Sequence, residues 1–426
     1  MEVESETLMV SKMATELKGS EIIKLAGEIN ELLNKGEKIF NFTIGDFDPN
    51  LFPIPEGLKN EIIKAYQDNQ TNYPAANGIV SLRNVLAEFT ANDMNLHYKA
   101  NEFLVAGGAR PLIYALFQTV IDPGDKIIYP VPSWNNNHYT HLSAGVGIEV
   151  ETSVENNFMP TVEELLPYLS DATLLTLCSP LNPTGTIFSS NQLLKIAEAV
   201  LTENKKRQEQ NRKPLYLMYD QIYRTLTYGD FKHHNPVSFF SELKPYTIFI
   251  DGLSKAFAAT GVRVGWAFGP EKIIAKMSNI LGHVGAWAPK PEQVATAHYL
   301  TNKQQVKSDL NDLKSQLSVR LNHFYKGVQK LKSEGFPVDA IEPQAALYLT
   351  IKIDIIGKKK KDGQTIRSVA DTTSYLLSEA KLAIVSFTAF GSNNDSVWYR
   401  LSIGTSKIKE IDQVFINLKH ALVQLN

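Results

Sequence analysis

Between residues 103 and 268, short β-rich runs alternate with longer helical stretches, and this alternation restricts the possible fold more than any other feature. Such alternation predicts a mostly parallel sheet covered by helices. Several runs, such as Leu174–Cys178, are apolar throughout, which is typical of strands buried on both faces. We therefore predict an α/β fold with a seven-stranded sheet, and its expected strands are at 103–106, 126–129, 147–150, 174–179, 215–220, 247–251 and 263–268.

A smaller region of mixed α+β character is predicted after this sheet. From Val306 to Leu331, apolar residues recur every three or four positions, which predicts one long helix that ends near Gly335. The remaining pattern favours strands at 346–353, 382–387 and 397–403 and helices near 366–380 and 407–424.

Helical spacing also occurs near the N-terminus, between about residues 12 and 36, where Ser20 is the predicted N-cap and Gly36 the predicted stop. Two charged tracts, 203–213 and 358–361, fall between predicted elements. We interpret both tracts as solvated loops.

The composition excludes several classes of protein. With 43% hydrophobic and 21% charged residues, the 426-residue chain has the composition of a soluble globular protein. Its 43 basic and 45 acidic residues give a net charge of -2, so we expect neither a nucleic-acid partner nor an anionic membrane surface. No run of apolar residues is long enough to predict a membrane span. The single cysteine and the lack of a signal-peptide pattern predict a cytoplasmic location.

Motifs for metal sites and for hydrolases are missing from the sequence. The pairs His138/His141 and His233/His234 have no cysteine or acidic partner at ligand spacing, so we expect surface or structural histidines and no metal site. The chain has neither a Gly-x-Ser-x-Gly elbow nor a Gly-x4-Gly-Lys-Ser/Thr phosphate loop. The sequence therefore lacks the main evidence that would indicate a hydrolase or a nucleoside triphosphatase.

Three other segments place polar side chains directly after predicted strands. The first is a proline-rich turn that presents Asn182. The second holds Asp220 and, three residues later, the phenol of Tyr223. The third places Lys255 just past a strand and Arg263 eight residues later. Each segment alone has an ordinary structural explanation, but their joint order along the chain indicates one site.

In these motifs and in their order, the sequence resembles the class I and II aminotransferases, the pyridoxal 5′-phosphate (PLP) enzymes of fold type I. The resemblance extends from about Gly45 to Arg400. It implies a large domain with a seven-stranded sheet, a small domain built from both termini, and a homodimer with shared active sites. On this basis we expect a large PLP-binding domain at 55–305 and a small domain at 1–54 and 306–426.

The resemblance implies which residues hold and activate the cofactor. Lys255 matches the lysine that binds the PLP aldehyde covalently and then moves the substrate proton as general base and acid. Asp220 matches the carboxylate that keeps the pyridine nitrogen protonated. Asn182 and Tyr223 match the two donors to the phenolic oxygen, and Trp134 matches the aromatic residue that stacks on the ring.

For the PLP phosphate, the resemblance implies backbone amides at a helix start together with a cation. The matching residues are Gly108, Ala109, Arg110 and Arg263. Because Gly252 stands where the family often has a phosphate-binding serine, we expect Ser254 to supply that contact. Tyr73 matches the tyrosine that reaches the phosphate from the partner subunit.

The resemblance also implies how substrate is bound. Arg400 matches the arginine that binds the substrate α-carboxylate through two parallel hydrogen bonds, and Gly45 lies where the N-terminal segment closes over substrate. In some aspartate transaminases a lysine at the position of Arg110 binds the side-chain carboxylate, so Arg110 indicates an acidic substrate. Trp287 and Lys290 are also candidates to border the pocket. A broad substrate range, or a substrate with an aromatic side chain, therefore stays an open alternative.

The resulting hypothesis is an aminotransferase that moves an amino group between an L-amino acid and a 2-oxo acid by a ping-pong mechanism. Two alternatives stay open at this point. Another PLP reaction of the same fold, such as that of a C–S β-lyase or a synthase, would use the same Lys255, Asp220 and Arg263. A regulatory protein that senses PLP would need a DNA-binding domain, and the roughly 40 residues before Gly45 are too few for one.

Overall fold

The structure is a computed structural model and describes residues 10–17, 19 and 21–426. Within this part of the chain, the centre is a seven-stranded sheet, and a four-stranded sheet lies toward the C-terminus. The strands in chain order are β1 (Phe40–Asn41), β2 (Phe103–Ala106), β3 (Lys126–Val131), β4 (Val146–Glu151), β5 (Ala172–Cys178), β6 (Tyr216–Asp220), β7 (Thr247–Gly252), β8 (Gly265–Phe268), β9 (Val338–Ala340), β10 (Tyr348–Ile353), β11 (Leu382–Ala383), β12 (Val385–Ser386) and β13 (Trp398–Ser402).

Helices occupy most of the connections, as the crossovers of a parallel sheet require. None of them, in the described part of the chain, combines the length and the apolar character needed to cross a membrane. The helices in chain order are α1 (Lys12–Glu16), α2 (Glu21–Asn34), α3 (Glu56–Gln67), α4 (Val80–Met94), α5 (Ala109–Val120), α6 (Asn136–Leu142), α7 (Val162–Leu169), α8 (Ser190–Glu209), α9 (Pro236–Phe239), α10 (Leu253–Ala256), α11 (Glu271–Val284), α12 (Lys290–Thr301), α13 (Lys303–Ser333), α14 (Val369–Glu379) and α15 (Ile408–Val423).

The seven-stranded sheet has the order β2-β8-β7-β6-β5-β3-β4. Strand β8 is antiparallel to both neighbours, and the other pairs are parallel. The register pairs Cys178 on β5 with Asp220 on β6, so these strands end at the same edge of the sheet. Carboxyl ends of parallel strands are where α/β folds place their ligand sites.

The inner strands of this sheet are buried on both faces, as their apolar pattern predicts. Leu175 on β5 and Leu217 on β6 belong to one apolar core, whereas Leu174 and Met218 on the same strands belong to another. Successive side chains of a strand point to opposite faces, so each core covers one face of the sheet.

A further core surrounds the long helix α13. Its buried apolar side chains, including Leu317, Leu321 and Phe324, pack against an antiparallel sheet of order β12-β13-β10-β9. Strand β1, from the N-terminal part of the chain, pairs in parallel with β11, from the C-terminal part. The division of the chain into domains at residues 54 and 306 stays a prediction.

The seven predicted strands, the long helix and the α+β region after it are confirmed. Each predicted strand of the large sheet overlaps an observed one, and the helix predicted from Val306 is α13. Near the N-terminus, the predicted helix corresponds to α1 and α2. Its predicted N-cap, Ser20, lies outside the described residues.

The prediction of a solvated loop at 203–213 is wrong for its first part, because α8 continues through this charged tract to Glu209. Arg207 is buried, pairs with Glu203 at 2.7 Å, and donates to the Leu169 carbonyl oxygen at 2.6 Å. Buried charges are tolerated when they are paired and hydrogen-bonded in this way, and a charge pattern does not show which members find partners. The tract 358–361 lies outside the helices and is largely exposed, as predicted.

Alanine substitutions at two glycines test how closely the second sheet packs on the proline-rich turn. At Gly185, φ is +71° and an added Cβ would lie 2.3 Å from the Tyr348 carbonyl oxygen. At Gly229, φ is +55° and the added Cβ would meet open space. Left-handed alanine costs about 1–2 kcal/mol at both positions, and crowding adds about 1–3 kcal/mol at Gly185 only. Denaturant unfolding should therefore show a clearly larger loss of stability for Gly185→Ala, and equal losses would contradict the packing.

Candidate active site

A cavity of about 410 Å³ opens at the carboxyl ends of β5 and β6. Its wall combines the carboxylates of Asp46 and Asp220 with an amine, three guanidinium groups and aromatic rings. The predicted site residues that line it are Gly45, Ala109, Arg110, Trp134, Asn182, Asp220, Tyr223, Ser254, Lys255, Arg263 and Arg400.

Asp220 supplies one of the two carboxylates, from the last position of β6. In the described part of the chain, its side chain accepts one hydrogen bond, from the Ile222 amide at 3.1 Å. Burial raises the pKa of Asp220 to about 7, and the nearby Asp251 contributes to the rise. An enclosed carboxylate with so few donors is stabilised by a cationic group of a ligand.

Lys255 supplies the amine, from the short helix α10 that follows β7. Its Nζ donates to the Gly45 carbonyl oxygen at 2.7 Å. Burial, helped by three nearby arginines and opposed by Asp46, lowers the pKa of Lys255 to about 8. A lysine with such a pKa is uncharged in a useful fraction near neutral pH and can act as a nucleophile or a base.

Arg400 lies on β13 and is 1% exposed. It donates to the Thr43 carbonyl oxygen at 2.6 Å and to Asn182 Oδ1 at 3.1 Å. Its guanidinium carbon lies 4.9 Å from the ring centroids of both Tyr348 and Phe390, which hold it in place. Its buried Nε has no hydrogen-bond partner among the described residues. Such a fixed arginine with a free donor is suited to a carboxylate ligand.

A second anion site is formed where α5 begins. Arg263 donates to the carbonyl oxygens of Gly107 and Thr260, each at 2.7 Å, so its guanidinium lies against the turn before the helix. A Cβ at Gly108 would lie 2.3 Å from Arg263 Nη2, so glycine is needed for this close approach. A helix N-terminus beside a cation is suited to a phosphate group.

Two phenols meet at the wall of the cavity, those of Tyr223 and Tyr348. The hydroxyl oxygens of Tyr223 and Tyr348 are 2.6 Å apart, and both side chains are buried. Burial, together with Tyr348, raises the pKa of Tyr223 well above its ordinary value, so the phenol stays neutral and can donate. The sequence analysis missed Tyr348, because a tyrosine inside an apolar strand carries no motif. Only the pairing in space distinguishes it.

The ring of Trp134 lies close to two arginines. The guanidinium carbon of Arg110 is 5.3 Å from the centroid of its ring, and that of Arg400 is 5.9 Å from it. Phe390 packs on the same indole at 6.2 Å between centroids. The arrangement places two cationic groups, each suited to a negatively charged ligand group, near one aromatic ring.

Tyr73 lies outside this cavity. It is 83% exposed, and its ring makes an edge contact with Trp287 at 5.3 Å between centroids. Lys290 donates to Asn72 at 2.5 Å. One chain therefore does not bring Tyr73, Trp287 or Lys290 to its own cavity, and their predicted roles stay predictions.

The residues around the cavity fit the groups of PLP. Arg263 and the start of α5 suit the phosphate, Asp220 suits a protonated ring nitrogen, and Lys255 suits the aldehyde. The described residues contain no group of three or more His, Cys, Asp or Glu side chains placed to hold a metal ion.

Comparison with known proteins identifies the family. A family model described as aminotransferase class I and II matches residues 37–415. The chain belongs to the class I and II aminotransferases. As a member of this family the enzyme is a transaminase and depends on PLP.

Relatives of this aminotransferase match it along nearly its whole length. A probable aspartate/prephenate aminotransferase of Rickettsia prowazekii is 30% identical over 97% of this chain and 98% of the relative. An aspartate aminotransferase of Bacillus subtilis is 28% identical over 94% of this chain and 95% of the relative. Among solved structures, the aspartate aminotransferase of Thermus thermophilus with maleate has a TM-score of 0.84 at 26% identity, covering 97% of this chain and 99% of that one. The predicted fold and the resemblance stated from the motifs are both confirmed.

Replacing Asp220 by asparagine should stabilise the cofactor-free aminotransferase while weakening its binding of PLP. Folding raises the pKa of this carboxyl from 3.8 to about 7, so between these values the folded state holds a proton that the unfolded state has released. The free energy of unfolding therefore falls by a few kcal/mol as the pH rises through this window. Asparagine has no proton to release, so Asp220→Asn should not show this fall.

Thermal melting of cofactor-free wild type and Asp220→Asn should agree at pH 4 and diverge by pH 8, where the variant melts higher. PLP titration should show affinity about 100-fold weaker or worse for the variant, because one partner of a buried charge pair is gone. Equal melting temperatures at pH 8 would contradict the enclosure of the carboxylate.

Proposed function

We propose that this aminotransferase acts on acidic substrates and moves the amino group of an aspartate-like amino acid to a 2-oxo acid by a ping-pong mechanism. The observation that supports this proposal most directly is that the guanidinium groups of Arg400 and Arg110 both lie within 6 Å of the Trp134 ring centroid, at 5.9 and 5.3 Å, in one cavity. In this proposal, Arg400 binds the α-carboxylate and Arg110 binds the side-chain carboxylate.

The names of the relatives support a dicarboxylic substrate. The Rickettsia and Bacillus proteins are named as aspartate/prephenate and aspartate aminotransferases. Aspartate and prephenate each carry two carboxylates, and the Thermus enzyme was solved with maleate, which is also a dicarboxylate. Two arginines in one pocket match that shared chemistry.

The cofactor roles that we propose follow from the charges around the cavity. When bound, PLP supplies an electrophilic aldehyde and an electron-withdrawing ring. Asp220 pairs with the ring nitrogen, while Asn182 and Tyr223 donate to the phenolic oxygen. The phosphate is held by the amides of Gly108, Ala109 and Arg110, by Arg263 and Ser254, and by Tyr73 of a second copy of the chain.

Lys255 is the acid and base of the proposed reaction. Its Nζ would hold the cofactor through the aldehyde and, once displaced by substrate, would take the proton from the substrate Cα as general base and return it as general acid. The lowered pKa of Lys255 makes the free amine available for the first of these transfers. The Gly45 segment, whose carbonyl oxygen contacts Nζ, closes over the substrate and excludes water.

We also propose that the enzyme is a cytoplasmic homodimer. The exposed ring of Tyr73 is held on Trp287, and the same loop packs near Gly282, where Ala76 lies 3.7 Å from the position of an added Cβ. An exposed tyrosine that does not reach its own cavity supports a role in the site of a second copy. The single cysteine of the sequence, Cys178, supports a reducing compartment.

Substitution of the proposed catalytic lysine tests the reaction. Lys255→Ala should reduce transamination of aspartate and 2-oxoglutarate to background and remove the visible absorbance of bound PLP, because no other amine takes its place. The melting temperature of the cofactor-free variant should not fall. The lowered pKa shows that burial disfavours the charged amine, so its removal does not cost the folded state a favourable charge. Retained turnover would reject the assignment. Wild type that releases ammonia and pyruvate rather than transferring the amino group would be a β-lyase.

The proposed roles of Arg110 and Arg400 can be distinguished by comparing aspartate with alanine as substrate. Arg110→Met should lower kcat/KM for aspartate about 10- to 100-fold and change it little for alanine, because only aspartate loses a charged hydrogen bond. The backbone amide of Arg110 is kept, so PLP affinity should hold. Arg400→Leu should weaken both amino acids, and Arg367→Met, at an exposed arginine, serves as the control. Equal losses for aspartate and alanine in Arg110→Met would contradict its role.

A further inference from the structure

We propose that Tyr348 is a positioning residue for the reaction, whose hydroxyl directs the single hydroxyl hydrogen of Tyr223 toward the phenolic oxygen of PLP. The inference rests on the proposed placement of Tyr223 at that oxygen. Tyr348 acts through Tyr223 rather than on the reacting atoms.

The two phenols form a closely spaced pair at the cavity wall. Their hydroxyl oxygens are 2.6 Å apart, and their rings meet edge to face at 5.6 Å between centroids. Tyr348 lies at the start of β10 and is 1% exposed. Among the described residues, Tyr223 is the hydrogen-bond partner of its hydroxyl. Bulk water therefore does not compete for this hydrogen bond.

A hydrogen bond between two hydroxyls uses one of their two hydrogens. If Tyr223 donates to Tyr348, its hydrogen is not available to a ligand. If Tyr348 donates, Tyr223 keeps its hydrogen for the cavity, and accepting a hydrogen bond makes it a stronger donor. A negatively charged phenolic oxygen beside Tyr223 accepts hydrogen bonds only, so it selects the second arrangement.

The surroundings of Tyr348 fix its hydroxyl in this position. Its ring supports the Arg400 guanidinium at 4.9 Å from the ring centroid to the guanidinium carbon. Its carbonyl oxygen lies close to Gly185, in the turn that carries Asn182. A Cβ at Gly45 would lie 2.8 Å from the Tyr348 hydroxyl oxygen, so a larger residue there would displace the hydroxyl. The phenol is thus confined by elements from three distant parts of the sequence.

The test is Tyr348→Phe in the PLP-bound enzyme, which removes the hydroxyl and keeps the ring. The readout is the pH midpoint of the visible absorbance change of bound PLP. A weaker donor at Tyr223 stabilises the ionised phenolic oxygen less, so the proton leaves at higher pH. We expect a rise of about 0.5 to 1 pH unit, a 3- to 10-fold change in the dissociation constant, which matches one hydrogen bond.

Two further readouts separate the hydroxyl from the ring. In Tyr348→Phe, kcat should fall several-fold and the KM for aspartate should stay within about threefold, because the ring still supports Arg400. Tyr348→Leu removes both the hydroxyl and the aromatic ring. It should therefore raise the pH midpoint by a similar amount and also raise the KM for aspartate. If Tyr348→Phe leaves the midpoint unchanged while Tyr223→Phe raises it, the inference is overturned and the placement of Tyr223 stands.

A double-mutant cycle tests whether Tyr348 works through Tyr223. Tyr223→Phe alone should raise the midpoint at least as much as Tyr348→Phe, and the double variant should equal Tyr223→Phe. Additive shifts would overturn the inference. An unchanged midpoint in Tyr223→Phe would overturn the placement of Tyr223 and, with it, the inference.

Tyr399→Phe is the matched control. Tyr399 is fully buried on β13, and its hydroxyl has no hydrogen-bond partner in the described part of the chain. Its removal should leave the midpoint where wild type has it. A shift as large as that of Tyr348→Phe would show that any lost buried phenol has this effect, and would overturn the inference.

Discussion

The site depends on the enclosure of two oppositely charged groups that hydrogen-bond to backbone rather than to each other. Asp220 accepts from the Ile222 amide and Lys255 donates to the Gly45 carbonyl, and burial moves their pKa values toward each other, to about 7 and about 8. Each group is therefore held where its charged form is disfavoured. Under the proposed function, a ligand with a cationic nitrogen at one end and an aldehyde at the other would relieve both.

Arg400 connects this chemistry to the rest of the fold. It comes from the smaller sheet, yet it contacts the N-terminal segment at Thr43 and the proline-rich turn at Asn182. Burial lowers the pKa of Arg400, but an arginine remains charged, so the protein must supply partners. Aromatic rings and a carbonyl supply part of this stabilisation. Within residues 10–17, 19 and 21–426, nothing accepts a hydrogen bond from Nε, and in the proposed function this donor is used by the carboxylate of the substrate.

Sequence patterns predict the parts of this molecule that follow from periodicity and local order. Strand positions, the long helix and the order of Asn182, Asp220 and Lys255 are of this kind, because each depends on near neighbours along the chain. The pairing of Tyr223 with Tyr348 joins positions 125 residues apart and has no local signature. The continuation of α8 through its charged tract likewise depends on which charges find partners across the fold.

The pairing of β1 with β11 joins residues near the start of the chain to residues near its end. The hydrogen bond from Arg400 to the Thr43 carbonyl oxygen makes the same connection inside the site. During synthesis on the ribosome, β1 must wait until β11 has emerged before the two can pair. The strands of the large sheet, which end at Phe268, emerge earlier, but the pocket gains Arg400 only after β13 has been made, so a nascent chain that stops before β13 is not expected to bind amino acids.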